Sequence, residues 1–327
     1  MTSATSVSDM ENISASKIEN FSFINGVQEN SSFRNGIQFA WDSTSIKLVE
    51  TCMYKYKLKM IDGWQPRRKS VHLLFGGWYA TALEHYYKHR ALGDTLDEAL
   101  EKVVLEALLS TWDSETASPW LSDHNTKTRE NLIRTIIWYV DEFADDPVEV
   151  YMKADGTPAV EFSFSFEATP DIFLSGHIDR LVKYSDSYYV MDQKTTGSTL
   201  TGMFFDSFDP DTQMSLYTMA GQVIYDKPVR GVIIDAAQIA VGFSRFLRGF
   251  TFRDPAKIDE WYATTLDRIK LAQDQTAEGK FPMNPSACGN FGGCEFRSIC
   301  SKSPHVREAF LAGDFVKGER WDPLKRR

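Results

Sequence analysis

A chain of 327 residues is long enough for one large domain with insertions, or for two small ones. Its composition, 43% apolar, 13% aromatic and 25% charged, is that of a globular protein with a sizeable core, which excludes wholesale disorder. A net charge of −9 argues against a surface coated for general nucleic-acid binding, while leaving room for a local basic groove.

Residues 1–35, rich in Ser, Asn and Thr, read as a flexible N-terminal arm. The opening MTSATSVSDMENISAS has neither a basic start nor an apolar run, so no secretory signal is expected. No run of about 18 apolar residues occurs, so no membrane span is expected, and a cytoplasmic protein is. The stretch DSTSIKLVETCMYKYKLKM (42–60) reads as a helix capped by Ser43 or Ser45. It begins a basic run, Lys47, Lys55, Lys57, Lys59, Arg67, Arg68 and Lys69, opposed only by Glu50 and Asp62. For any one of these lysines a solvated helix face is the plainer reading.

Residues 76–90 (GGWYATALEHYYKHR) read as a second helix. Thr95 and Glu98 form a capping box ahead of LDEALEKVVLEALLSTW, and residues 126–145 give a further helix. The period then changes from 3.6 to 2. In VEFSFSFEA, Val160, Phe162, Phe164 and Phe166 alternate with Glu161, Ser163, Ser165 and Glu167, as in a half-buried strand. FLSGHIDRLVKY and SYYVMDQKT follow as strands. A helix at 211–224, a strand at 230–240, a strand in FSRFLRGFTF and a long helix at 254–277 complete the series. No Pro/Gly-rich linker divides the chain, so a single α/β core with a helical insertion at about 94–145 is expected.

Folding the two central strands as a hairpin about Ser185–Asp186 sets Asp179 opposite Asp192, on one face of the sheet, with Cβ atoms about 5 Å apart. Lys194, two residues on, projects to the same face, and Gln193 points away. A one-residue slip would destroy this arrangement. Two facing carboxylates repel unless one is protonated or a cation lies between them. A divalent ion that prefers oxygen, Mg²⁺ or Mn²⁺, is the natural resolution, and a lysine beside it suits the activation of an attacking water. The plainer alternative is an exposed salt-bridge ladder at a strand end. D-x-K alone is common; the match with Asp179 is what raises it.

GHIDRLVKYSDSYYVMDQKT resembles the G-x-x-D-R … D-x-K core of PD-(D/E)XK nucleases, in the branch that includes the RecB nuclease domain and CRISPR-associated RecB-like exonucleases. The resemblance implies a restriction-endonuclease-like core, a mixed β-sheet flanked by helices, over residues 36–301. It implies that Asp179 and Asp192 bind the metal, that the backbone carbonyl of Gln193 joins them, and that Lys194 is the catalytic lysine. Pro170–Asp171 lies too early on its strand to face Asp192. Gln213 and Tyr217 match the branch's Q-x-x-x-Y motif; at i and i+4 they share one helix face, suited to contacting DNA or bracing the site. The family's upstream helix carries G-x-x-x-H-x-x-L-E with a metal-binding histidine. Here Gly76, Ala80, Leu83 and Glu84 occupy those positions, so alanine replaces the histidine. His85 lies about 140° round the helix from Ala80, whereas Glu84 is one turn away on nearly the same face. A carboxylate completing the site is therefore expected, with reduced or lost activity as the alternative.

Of four cysteines, Cys52 stands alone and Cys288, Cys294 and Cys300 form CGNFGGCEFRSIC. In a cytosolic protein disulfides explain them poorly. Their C-x₅-C-x₅-C spacing lacks the close pairs of zinc knuckles, and four thiolates can hold an iron–sulfur cluster. The RecB-like branch places one cysteine before its core and three after it around a [4Fe–4S] cluster. That implies an Fe–S segment at about 285–301 closing onto Cys52, with residues 302–327 as a tail. Zinc is the competing occupant. Such a closure would span a loop of more than 200 residues, a large constraint on the unfolded chain.

The resemblance implies a Mg²⁺- or Mn²⁺-dependent deoxyribonuclease, an exonuclease on single strands or DNA ends, serving recombination, repair or end processing in a bacterial or phage-infected cell. Lys55, Lys57, Lys59, Arg67 and Arg68 would track phosphates, and Tyr54 and Tyr56 would be available to stack bases. No G-x-x-x-x-G-K-[ST] loop is present, so a helicase would be a separate partner, as would a recombinase or single-strand-binding protein; an oligomer is also open. The rival reading is a catalytically silent Fe–S DNA-binding or scaffold subunit.

Overall fold

The computed structural model describes residues 32–225 and 227–325. Most of the expected N-terminal arm therefore lies outside the described residues. In chain order the helices and long strands are α1 (Ser43–Thr51), α2 (Met53–Tyr56), α3 (Val71–Ala91), α4 (Leu96–Ser110), α5 (Arg129–Glu142), β1 (Val160–Thr169), β2 (Ile172–Tyr184), β3 (Ser187–Thr196), α6 (Gly202–Asp206), α7 (Thr212–Tyr225), β4 (Val229–Ile239), β5 (Ser244–Phe252), α8 (Pro255–Ala277), α9 (Arg297–Cys300) and α10 (Arg307–Asp314). The fold is a mixed sheet flanked by helices, in the order β5-β4-β3-β2, with β1 also pairing β2. β3 and β4 run parallel, and the other neighbours of this order are antiparallel. Parallel neighbours need a crossover, and α7 supplies it. No helix among the described residues is long and apolar enough to cross a membrane.

The chain divides into two compact units, the first of residues 32–68, 163–176 and 255–325 and the second of residues 69–162 and 177–254. In the first, α1 is capped by Asp42, whose Oδ1 accepts the Ser45 N–H at 2.8 Å while Ser45 Oγ accepts the Asp42 N–H at 3.0 Å. The cap is thus one residue ahead of the expected serines. The expected single helix over 42–60 breaks at Cys52, whose extended backbone (φ −170°, ψ 115°) ends α1 and starts α2. Residues Lys57–Ile61 then form a π-helical turn. A small core of Leu58, Phe296, Ile299, Leu311 and Phe315 lies beside Cys294 and Cys300.

The second unit holds the larger core. Phe75, Tyr79 and Leu83 of α3, Val103 of α4, and Ile136 and Tyr139 of α5 pack with Ala237 and Ile239 of β4 and Phe246 of β5. The capping box of Thr95 and Glu98 forms as the sequence predicts. On β2 and β4, Arg180 and Asp235 are almost wholly buried and pair at 2.8 Å. Tyr139 donates to Asp235 Oδ2, and Arg248 bridges Asp235 and Asp146. Gly221 lets α7 sit close on the sheet: a Cβ there would come within 3.1 Å of Val190 and 3.2 Å of Val229.

Candidate active site

The catalytic geometry begins with a register. β2 and β3 join through Ser185, which takes a left-handed backbone (φ 51°), and their pairs run from Tyr184↔Ser187 to Arg180↔Met191. One step further, Asp179 stands level with Asp192, as the hairpin predicts, but the backbone ladder has already stopped. The Gln193 N–H is taken instead by Asp179 Oδ2, at 2.8 Å. The N–H and C=O of one residue point to the same side of a strand, so the Gln193 carbonyl also projects toward Asp179. On β3 the alternation puts Asp192 and Lys194 on one face, and they form an ion pair. Arg180 and its partner Asp235 occupy the opposite face. Pro170–Asp171 forms the turn between β1 and β2.

Burial raises the pKa of both carboxylates. Asp192, 2% exposed, is pushed up to about 6 by desolvation; Lys194 opposes the shift and the charge of Asp179 adds to it. Desolvation also raises Asp179, against the pull of Lys194 and of the Gln193 N–H. Lys194 moves upward despite its own desolvation, because Asp192 and Asp179 favour its charged form. The site is thus short of positive charge, and its donors, two carboxylates and a backbone carbonyl, are hard oxygens. The residues present fit a divalent Mg²⁺ or Mn²⁺ ion.

The Q-x-x-x-Y residues join the site directly. Gln213 Oε1 accepts from Lys194 Nζ at 3.1 Å, and Gln213 Nε2 donates to the Tyr217 hydroxyl at 3.0 Å. Asp211 fixes the start of α7 by accepting the Gln213 and Met214 N–H groups at 2.8 and 3.1 Å. Its negative charge also acts on Asp192 and Lys194. The sequence reading passed over Asp211, although an Asp ahead of a helical run is a capping signal.

Glu84 lies on α3 and pairs with Lys88 at 2.5 Å. Among the described residues no three His, Cys, Asp or Glu side chains are arranged to hold one metal ion, so Glu84 forms no such group with Asp179 and Asp192. His85 binds Glu106, and Ala80 is half-buried. A second acid missed by the sequence reading is Glu161, whose charge acts on Asp179. The Ala159 carbonyl, two residues before Glu161, accepts the Leu181 N–H at 2.9 Å. Strict alternation assigned Glu161 to the solvent face. Its left-handed backbone (φ 43°) breaks that alternation.

The first unit gathers the four cysteines. Asn284 donates its N–H to Cys52 Sγ at 3.4 Å, and the Cys294 N–H reaches the Cys288 carbonyl at 2.9 Å. Cys300 is pushed up to about 11 by burial, then by the charges of Cys294, Cys52 and Cys288. All four are half-buried thiols outside any disulfide. The neighbouring basic residues are largely engaged. Lys55 and Lys59 both turn to Glu295, Lys57 pairs with Asp62, and Arg67 donates to the Gly313 and Ala312 carbonyls. Arg68 is exposed. Tyr56 is not available to stack bases: it is fully buried against Trp41, their rings 5.6 Å apart, because that face of α2 closes the core. Tyr54 is half-buried, with the Arg307 guanidinium 5.5 Å from its ring.

No curated protein matches the chain. Among solved structures, a Eubacterium rectale protein whose assignment as an exonuclease is provisional aligns over 81% of this chain and 92% of its own, at 11% identity and a TM-score of 0.47. The protein SSO0001 aligns over 80% of this chain and 85% of its own, at 10% identity and a TM-score of 0.28. A family model of the PD-(D/E)XK nuclease superfamily matches residues 41–301, which span β2, β3, α7 and all four cysteines. The chain belongs to the PD-(D/E)XK nuclease superfamily.

Proposed function

We propose that this protein is a Mg²⁺- or Mn²⁺-dependent deoxyribonuclease of the RecB-like branch, acting as an exonuclease on single strands or DNA ends. The observation that carries the reading is the level placement of Asp179 and Asp192 where the β2–β3 ladder ends, with Lys194 on the same face. Asp179, Asp192 and the Gln193 carbonyl would hold the metal, which supplies a water of lowered pKa and charge stabilisation at the phosphate. Glu84 assists after leaving Lys88, directly or through a water. Lys194, held between Asp192 and Gln213, orients the attacking water and donates to a phosphate oxygen. Gln213 and Tyr217 keep that ammonium in place.

The four cysteines are assigned to a [4Fe–4S] cluster that ties Cys52 to the C-terminal segment. In support, the charges of the other three act together on Cys300. The second reading, a silent Fe–S DNA-binding subunit, is favoured by Ala80 where the family carries histidine.

Anaerobically purified protein tests both assignments. A brown protein with absorbance near about 400 nm supports the cluster, and a colourless one holding a single zinc overturns it. Labelled DNA should be degraded with Mg²⁺ or Mn²⁺, and not by Asp192→Ala or Lys194→Ala. Full activity in the double variant would sink the catalytic assignment, and an inactive wild type that binds DNA would favour the silent subunit.

A further inference from the structure

The second unit carries a cluster of positive groups that the active site does not use. Lys127 is only 2% exposed, and its Nζ has no hydrogen-bond partner among the described residues. The ammonium lies 4.5 Å from the centroid of the Phe75 ring, in the second turn of α3. Burial lowers its pKa to about 8, with no acid near enough to oppose the shift. His72, in the first turn of α3, meets His124 edge to face at 4.9 Å. Desolvation, then the positive charges of His124 and Lys127, hold His72 below the usual imidazole range.

The chemistry of these groups is that of an anion site. The Ser70 side chain makes no capping bond to α3, and the first turn of this 21-residue helix has no acidic residue. Its positive end therefore has the Lys127 ammonium nearby and no acid in its own first turn, the reverse of what a helix dipole favours. His124 Nδ1 accepts the Lys127 N–H at 3.1 Å, which leaves its Nε2–H as a donor. An ammonium, an imidazole N–H and the unclaimed N–H groups of a helix start are together the donor set that binds phosphate. A buried amine with no partner is costly in the free protein, and a phosphate oxygen would satisfy it.

We infer that His72, His124, Lys127 and the first turn of α3 form a binding site for a backbone phosphate of the substrate strand. The site's position points to the strand, because Gly76, next to Phe75 on α3, lies beside Thr195, the residue after Lys194. The phosphate held here is thus a neighbour of the one attacked, and the assignment rests on the nuclease reading.

Two probes separate the site from that reading. Inorganic phosphate should raise the Tm of the metal-free wild type and leave that of Lys127→Met unmoved. Lys127→Met should itself unfold at a higher temperature than wild type without phosphate, so a lost response is not a folding defect. With Ca²⁺ in place of Mg²⁺, Lys127→Met and His124→Ala should bind a labelled single-stranded oligonucleotide about tenfold more weakly. The salt dependence of Lys127→Met should fall by about one phosphate contact. A phosphate response that survives in Lys127→Met overturns the site. A phosphate response confined to wild type, with oligonucleotide affinity unchanged in Lys127→Met, overturns the assignment to the strand. If the wild type neither binds nor cuts DNA while phosphate still stabilises it, the nuclease reading fails and the anion site stands.

Discussion

Asp179 Oδ2 holds the Gln193 N–H at 2.8 Å, one step beyond the last backbone pair of the β2–β3 hairpin. A side chain has replaced the partner strand's carbonyl as acceptor. The strands can therefore part at this point without leaving a buried N–H unmet. Asp192 stays at the inner face of β3 while that strand continues its parallel pairing with β4 to Thr196. The two carboxylates stand level where the ladder between β2 and β3 ends.

Asp179→Asn tests this dual role. It should cut DNA cleavage by at least about 100-fold, as expected for loss of a group at the reacting centre. An amide oxygen can still accept the Gln193 N–H, so Tm should change by less than in Asp179→Ala. Thermal unfolding of the two variants beside a cleavage assay checks both outcomes.

The Asp192 pKa of about 6 links metal binding to pH. A carboxylate raised in the folded state stabilises the fold when protonated, below its ordinary range near 3.8. That contribution is lost as pH rises through about 6. In EDTA, this group should make the protein less stable at pH 7.5 than at pH 5. Mg²⁺ or Mn²⁺ binds the ionised form, so the Tm increase it produces should be larger at pH 7.5. An equal increase at both pH values would remove Asp192 from the metal site.

Gln213→Ala releases Lys194 from its second partner, while Tyr217→Phe removes only the hydroxyl that steadies Gln213. Cleavage should fall about tenfold or more in the first and less in the second, in line with positioned proton-transfer groups. The Tm increase with metal should persist in both, because neither is a metal-binding carboxylate. Measuring the two readouts together separates positioning from metal loss.

Arg180→Met should destabilise the protein by about 3 kcal/mol, because it takes from the buried Asp235 the closer of its two ion partners and leaves only Arg248. Arg180→Met combined with Asp235→Leu should recover much of that loss. Chemical denaturation of the single and double variants measures the coupling. The pair lies on the sheet face opposite the active site and ties β2 to β4 across β3.

Cys52→Ser should abolish the absorbance near about 400 nm and lower Tm, with the cleavage residues untouched. Iron analysis beside the spectrum distinguishes a lost cluster from a lost zinc.

Much of the active site was legible in the chain because its geometry is local. A two-residue turn and the period-two alternation of a strand place Asp179, Asp192 and Lys194 together without reference to anything distant. Helix periodicity likewise puts Gln213 and Tyr217 on one face. What the sequence could not show depends on backbone irregularity or on distant partners. Glu161, whose charge acts on Asp179, has a left-handed backbone against the strand pattern, and Tyr56 is covered by Trp41. The cysteines of residues 52 and 288–300, the buried pair of Arg180 and Asp235, and Lys127 on Phe75 each join segments separated in the chain. The sequence alone determined which strand pair carries the carboxylates, because side-chain direction follows from local dihedrals. Only the tertiary structure decided which charges are neutralised, which are buried and which stand without a partner, because burial and pairing belong to the packed whole.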